Sequence, residues 1–385
     1  MLAPVPVRRV LITNCWLRSR AGTELYVRDL SLALLNRGYE PTVFSPLLGD
    51  VADEIRAAGV VVTDDLATLT DEPDVLHCHQ HHEAVAALSR FPGRPGLYVQ
   101  HSATAWQDET PVHPRLLRYV AVDRPCLDRI LVAGVPSERA TVIANGVDTA
   151  RFLPRGPLPP RPRRAAVFSN YAREENYLPA LRAACARMGI ELEVLGEAAG
   201  SAATRPEHVL PGYDLVFAKA RAAIEAIAVG CAVIVTDVRG MAGMATFAQL
   251  PVWRPWNLGH TLLTQPHDVD AICAEIDRYD PDDAALCRDL VRDQWSLDVM
   301  VDGLVAEYDA VWSGWDPADA DPRAELAALA APLSRLGPLR AELEHALPYV
   351  EQTPGLVEAW QHEQEQARRL RQHLRALETG RAAKQ

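Results

Sequence analysis

The sequence predicts an α/β protein made of two consecutive doubly wound units followed by a helical tail, and three observations carry that prediction. Short β-branched runs alternate with helix-length segments as far as Trp312, the pattern of parallel sheets covered by helices. A proline-rich break, Leu153-Pro-Arg-Gly-Pro-Leu-Pro-Pro-Arg-Pro-Arg-Arg164, is unfit for helix or central strand and splits the pattern in two. Beyond Trp315 the chain turns to Ala, Leu, Glu, Gln and Arg. The expected limits are a first unit over 1–152, a linker over 153–164, a second unit over 165–297, a helix over 298–315 returning toward the first unit, and a helical tail over 316–385.

In chain order, the first unit has expected strands at Arg9–Thr13, Glu40–Ser45, Val60–Thr63, Val75–Cys78, Leu97–His101, Arg118–Val122 and Ala140–Ile143. A helix from about Thr23 to Arg37, stopped by Gly38, follows the first strand. The second unit restarts with strands at Ala165–Ser169, Glu191–Leu195, Leu215–Ala218 and Ala232–Thr236. Its expected helices run over Leu178–Met188, Arg221–Val229, Asp268–Tyr279 and Ser296–Trp312. In the tail, Trp360, Ala367, Leu370, Leu374 and Leu377 keep a mostly heptad spacing over too short a length for a coiled coil. Packing on the protein's own surface, oligomerisation and a lone helix all remain open for it.

Composition narrows the function. A chain of 385 residues, 48% hydrophobic, can bury two cores. Its net charge of -12 argues against nucleic acid as a partner, because that binding draws on excess positive charge. Seven scattered cysteines without a C-x-x-C pair suit a reducing cytoplasm. The N-terminus offers no apolar signal region with a cleavage site. The longest apolar stretch, Ala222 to Val235, is broken by Glu225 and too short to span a bilayer, so membrane contact would be peripheral. The run His77-Cys-His-Gln-His-His82 matches no zinc spacing, and no metal is expected.

Lys219 stands out. Of 39 Lys and Arg residues only Lys219 and Lys384 are lysines. Lys219 follows an apolar strand and precedes a helix, whose unpaired first-turn amides attract anions. With Arg221 it would place two cations beside those amides, as a phosphate site requires. An ordinary strand-to-helix junction with a solvated lysine is the other reading.

Several further signals sit at strand ends in a fixed order: Val10-Leu-Ile-Thr with Ala21-Gly22-Thr23-Glu24, Pro73-Asp-Val-Leu-His77, Val99-Gln-His101, Val142-Ile-Ala-Asn-Gly-Val-Asp148, and Ile224-Glu-Ala-Ile-Ala-Val-Gly230. Over roughly residues 8 to 312 they resemble the retaining GT-B glycosyltransferases, the type that includes bacterial phosphatidylinositol mannosyltransferases. The resemblance implies two facing Rossmann-like domains with a nucleotide-diphosphate sugar as co-substrate, no other cofactor and no metal. It implies that Gly22 and Thr23 approach the donor phosphates, that His101 lies near the transferred sugar, and that Glu225 accepts from ribose hydroxyls. Gly146 belongs to an Asn-Gly turn, a dipeptide that favours positive φ.

The departures matter as much. The first glutamate of the family's E-x7-E motif falls on Phe217, and its phosphate clamp falls on Asn170, Tyr171 and Asn176. Lys219, Arg221 and Arg173 are the nearest replacement cations, with Lys219 and His101 the candidates for contact with the reacting groups. The implied function is metal-independent, retaining hexosyl transfer to a glycan, lipid-linked or small-molecule acceptor. A sugar-nucleotide epimerase or hydrolase of the same fold, or a non-catalytic partner subunit, are the alternatives.

Overall fold

A computed structural model describes residues 7–196, 205–330 and 332–334. The heptad positions from Trp360 to Leu377 lie outside the described residues. The chain divides into two compact units, Met1–Ala328 and Leu329–Gln385, and both expected sheets lie in the first. They form two lobes of that unit.

The first lobe is a seven-stranded parallel sheet in the order β3-β2-β1-β4-β5-β6-β7. Its strands are β1 (Arg9–Thr13), β2 (Glu40–Phe44), β3 (Val61–Thr63), β4 (Val75–Cys78), β5 (Gly96–Gln100), β6 (Leu116–Ala121) and β7 (Ala140–Val142). The helices are α1 (Gly22–Asn36), α2 (Asp50–Ala57), α3 (His81–Arg90) and α4 (Arg124–Val132). β4 and β5 are buried along their whole length, as strands covered on both faces must be. The last three helices are not among those expected, although α4 carries a cap signal: Asp123 accepts a hydrogen bond from the Cys126 amide, with Pro125 in the first turn. β5 stops at Gln100, so His101 opens the following loop instead of closing the strand.

The second lobe is a five-stranded sheet in the order β12-β11-β10-β8-β9. It comprises β8 (Arg164–Phe168), α5 (Leu178–Arg187), β9 (Glu191–Leu195), α6 (Pro206–Val209), β10 (Leu215–Ala218), α7 (Ala220–Val229), β11 (Ala232–Asp237), β12 (Gly240–Met244), α8 (Leu250–Trp253), α9 (Val269–Ile276) and α10 (Pro281–Gln294). β12 pairs antiparallel with β11. Its sequence, Gly-Met-Ala-Gly-Met, has no β-branched residue, so strand propensity could not find it. One core cluster lies where α7 and α10 pack and includes Ile224 and Val291; another includes Leu181 and Ile272 from α5 and α9. The first cluster also takes in Val147 and Phe152, so the second core begins ahead of the proline-rich linker.

α11 (Leu297–Ser313) then packs against the first lobe. Its Tyr308 is fully buried and lies 2.7 Å from His77 Nδ1. Arg118 donates to Glu307 at 2.5 Å, and Arg37 to Asp302 at 2.7 Å. The chain therefore crosses between lobes twice, and the crossings pair side by side: Val147 N donates to Trp295 O at 3.0 Å and Leu297 N to Val147 O at 2.7 Å. Gly146 is absent from the positive-φ glycines. The Asn-Gly expectation is corrected here, because glycine serves for proximity: a Cβ at Gly146 would stand 2.6 Å from Ser296 O.

Candidate functional site

In open α/β sheets the crevice lies where strand order reverses, outside the carboxyl ends of the strands. Those points are β1/β4 in the first lobe and β8/β10 in the second. Lys219 directly follows β10 and is the N-cap residue of α7, so it stands in the second crevice. Its Nζ forms an ion pair with Asp237 at the end of β11 and donates to His260 Nε2 at 2.8 Å. It also lies 5.4 Å from the ring centroid of Tyr171, which projects from the loop after β8. Lys219 is therefore a paired lysine. Asp237 is 2% exposed, so much of the lysine's charge is balanced within the protein.

The junction is strained. Ala220 has φ 47, and Asn257 and Leu258 both have φ 51, unusual for residues bearing Cβ atoms. The Ala220 amide donates to Leu258 O at 2.8 Å, tying the segment that carries His260 to the start of α7. In the loop after β8, Asn176 Oδ1 accepts from the amides of Arg173 and Tyr177, and its Nδ2 donates to Tyr171 O at 2.7 Å. Asn176 thus folds the turn at the position where the resembled family has a clamp lysine. Arg173 is exposed on that turn, whose Tyr171 ring faces Lys219.

Arg221 and Glu225 sit deeper. Arg221 Nε donates to Glu225 Oε1 at 2.8 Å, and its Nη2 pairs with Asp29 of α1, across the lobes. Asp29 is also held by Arg28 at 2.6 Å and lies 3.7 Å from Arg151. Burial alone would raise Asp29, but Arg221 and Arg28 outweigh it and hold the carboxyl below the usual range. Burial wins at Glu225, whose carboxyl is raised despite Arg221. The expectation that Arg221 stands free to meet a diphosphate is corrected: two buried carboxylates already claim its guanidinium. Beside this network, a cavity of ≈ 550 Å³ opens between α1, α2 and α6, lined by Arg20, Arg28, Glu54, Arg151, Arg205 and Glu207.

In the first crevice, Gly22 is the first residue of α1, and a Cβ added there would meet nothing within 4 Å. Thr23 Oγ1 donates to Glu24 Oε2 at 2.9 Å, and Ser19 Oγ to Glu24 Oε1 at 3.1 Å. Glu24, fully buried, thereby folds the loop after β1 over the helix start. His101 lies edge-on to Tyr26 at 4.7 Å and to His79 at 4.6 Å, and its Nε2 is buried without a hydrogen-bond partner. His79 Nε2 is 2.8 Å from His77 Nε2. Burial pushes His77 and His101 down to about 3, so these imidazoles are neutral at neutral pH. His81 and His82 turn the other way, toward the exposed Trp106 ring. Among the described residues no group of three or more His, Cys, Asp or Glu is placed to hold a metal ion.

The predicted residues are thus dispersed: Lys219 at the second crevice, Arg173 exposed on the turn after β8, Arg221 with Glu225 in the interlobe network, and Gly22, Thr23 and His101 at the first crevice. Sequence reasoning missed Asp237, His260 and Asp29. Asp237 ends a recognised strand, which was a usable signal; His260 lies in irregular chain, and Asp29 gains its meaning from the other lobe.

Residues 20–151 match the family described as Glycosyltransferase Family 4. A comparison with curated proteins finds no match. Among solved structures, a glycosyltransferase from Rickettsia africae is similar over 79% of this chain and 98% of its own, with 12% identity and a TM-score of 0.56. HepE from Anabaena, in complex with UDP and glucose, is similar over 79% and 100%, with 13% identity and a TM-score of 0.53. Sucrose-phosphate synthase from Thermosynechococcus elongatus is similar over 80% and 100%, with 12% identity and a TM-score of 0.51. The fold is GT-B: two facing Rossmann-like lobes, as the sequence predicted.

Proposed function

We propose that the protein is a glycosyltransferase that takes its sugar from a nucleoside-diphosphate donor seated in the crevice of the second lobe. The observation that carries this is Lys219, the lone internal lysine, held on a strained junction at the switch point of a GT-B fold. The match of residues 20–151 and the UDP and glucose bound by HepE support the same reading.

On this reading Lys219 faces the diphosphate, and the first-turn amides of α7 beyond that of Ala220, which Leu258 O already takes, complete the cradle. As the bond from anomeric carbon to phosphate oxygen breaks, negative charge grows on the leaving diphosphate, and these donors stabilise it. Glu225 takes the ribose hydroxyls once Arg221 is left to Asp29. His101, neutral, offers a hydrogen bond to the sugar instead of a charge. No side chain is assigned as nucleophile; the leaving phosphate takes the acceptor proton, which fits retention of configuration. The transferred group is a hexosyl unit, and no metal is invoked. The cavity between α1, α2 and α6 mixes guanidinium and carboxylate groups, which suits a hydroxyl-rich acceptor. Seven buried free cysteines fit work in the cytoplasm.

The test is calorimetric titration with UDP, GDP, ADP and their sugars, followed by turnover with the donor that binds. Lys219→Ala should weaken nucleotide binding by about tenfold or more, the scale of a lost charge-assisted hydrogen bond. Lys219→Arg should recover only part of it. Unchanged binding in both variants would refute the site. A second reading, a binding subunit without transfer, is favoured by the closed contacts of Arg221 with Asp29 and Glu225. Tight nucleotide binding without any release of free nucleotide or transferred sugar would select it.

A further inference from the structure

Lys219 alone cannot neutralise a diphosphate, because Asp237 already pairs with it in a nearly closed environment. The additional charge has to come from a neighbour that can acquire one. His260 is that neighbour. Its Nε2 lies 2.8 Å from Lys219 Nζ, and an ammonium can only donate, so Nε2 is the accepting nitrogen and the ring is neutral with its proton on Nδ1. The imidazole is exposed, so a ligand that reaches Lys219 also reaches His260.

We infer that His260 is a second phosphate ligand, one that charges when the diphosphate arrives. The inference rests on the proposed donor site and adds a residue and a pH response to it. As a phosphate oxygen takes the Lys219 ammonium, Nε2 loses the donor that occupied it. It then binds one proton from solvent and donates that proton to a phosphate oxygen. The balance is one proton taken up per ligand bound, with no bond between heavy atoms made or broken.

The charged groups facing His260 agree with this. They are Lys219 at the N-cap of α7, Asp237 on β11, and Arg239 in the turn between β11 and β12. Asp123, the N-cap of α4, approaches from the first lobe, with Oδ2 3.9 Å from the position of a Cβ on Gly259. Partial burial, then Lys219 and more weakly Arg239, hold His260 below its ordinary value against the opposing carboxylate of Asp237, so the neutral ring prevails at pH 7 when the site is empty. A polyanion adds the opposite influence and raises it. The bound value exceeds the free one, so affinity rises as pH falls between them, and it levels off below the free value. One coupled proton can change affinity by at most about tenfold per pH unit. The strain at Ala220 and Leu258 gives the pair its geometry, since the amide-to-carbonyl bond between these residues fixes the His260 segment against the lysine.

The experiment is calorimetric titration of the full chain with UDP, the other nucleoside diphosphates and inorganic pyrophosphate from pH 8 to pH 6, in buffers of different ionisation enthalpy. The wild type should take up about one proton per ligand, and its affinity should rise as pH falls relative to His260→Gln, which controls for titration of the ligand itself. His260→Lys should bind tightly with the pH slope of His260→Gln. Parallel pH profiles in wild type and His260→Gln, with binding intact, would overturn the role of His260 while leaving the donor site standing. No binding of any nucleotide by the wild type would instead overturn the donor site itself.

Discussion

His77 and His101 show how a single side chain acquires its properties from its place in the fold. Each imidazole is held at about 3 by burial against an ordinary value near 6.5. Between those values the unfolded chain binds protons that the folded one refuses. Their contribution to stability is therefore complete above about pH 6.5 and is lost progressively as pH falls toward 3. Each should cost about 1.4 kcal/mol per pH unit in that window. Urea unfolding between pH 7 and pH 5 should show the decline, and His101→Leu should reduce its slope by roughly one histidine's share. An unchanged slope would mean that His101 is protonated in the fold. Residue identity at the site was partly legible: Lys219 announced itself as the one lysine ahead of the C-terminal tail, just past a strand end. Its partners did not, because Asp237 and His260 meet it only after β11 and the segment following α8 have folded around the crevice.

At the scale of elements, parallel strands were legible because burial on both faces demands runs of Val, Ile and Leu, whereas β12, rich in glycine and methionine, sent no such signal. The start of α1 reads in the sequence as a phosphate-approach loop, and the structure separates two roles there. Thr23 spends its hydroxyl on Glu24, while Gly22 keeps open space above the first turn. Gly22→Ala should therefore stabilise the free protein by about 0.5–1 kcal/mol, since alanine is the better helix former and meets no obstacle. On the proposed function it should also slow transfer from the donor, because the new methyl group occupies the approach to the helix N-terminus. Thermal melting and donor turnover measured on the same variant decide between the roles: a higher Tm with full turnover would assign Gly22 to helix initiation alone.

For the whole molecule, two α/β units could be read from periodicity and the proline-rich break, but the joining of Asp29 to Arg221 and Glu225 could not, because Asp29 is distant from them in sequence. The same holds for Gly146, whose need for glycine comes from Ser296. Gly146→Ala should cost about 1–3 kcal/mol, because its Cβ would meet backbone at 2.6 Å and 2.9 Å. Chemical denaturation checks this, and an unaffected midpoint would mean that the crossings separate readily. Those crossings have a mechanical consequence. Two strands of chain bonded in parallel resist twisting about each other more than a single tether does, so bending about the line through Val147 and Ser296 should cost less than twisting across it. The cleft is then built like a book on a stitched spine, with the ion pair of Arg221 and Asp29 joining its two covers away from the stitching.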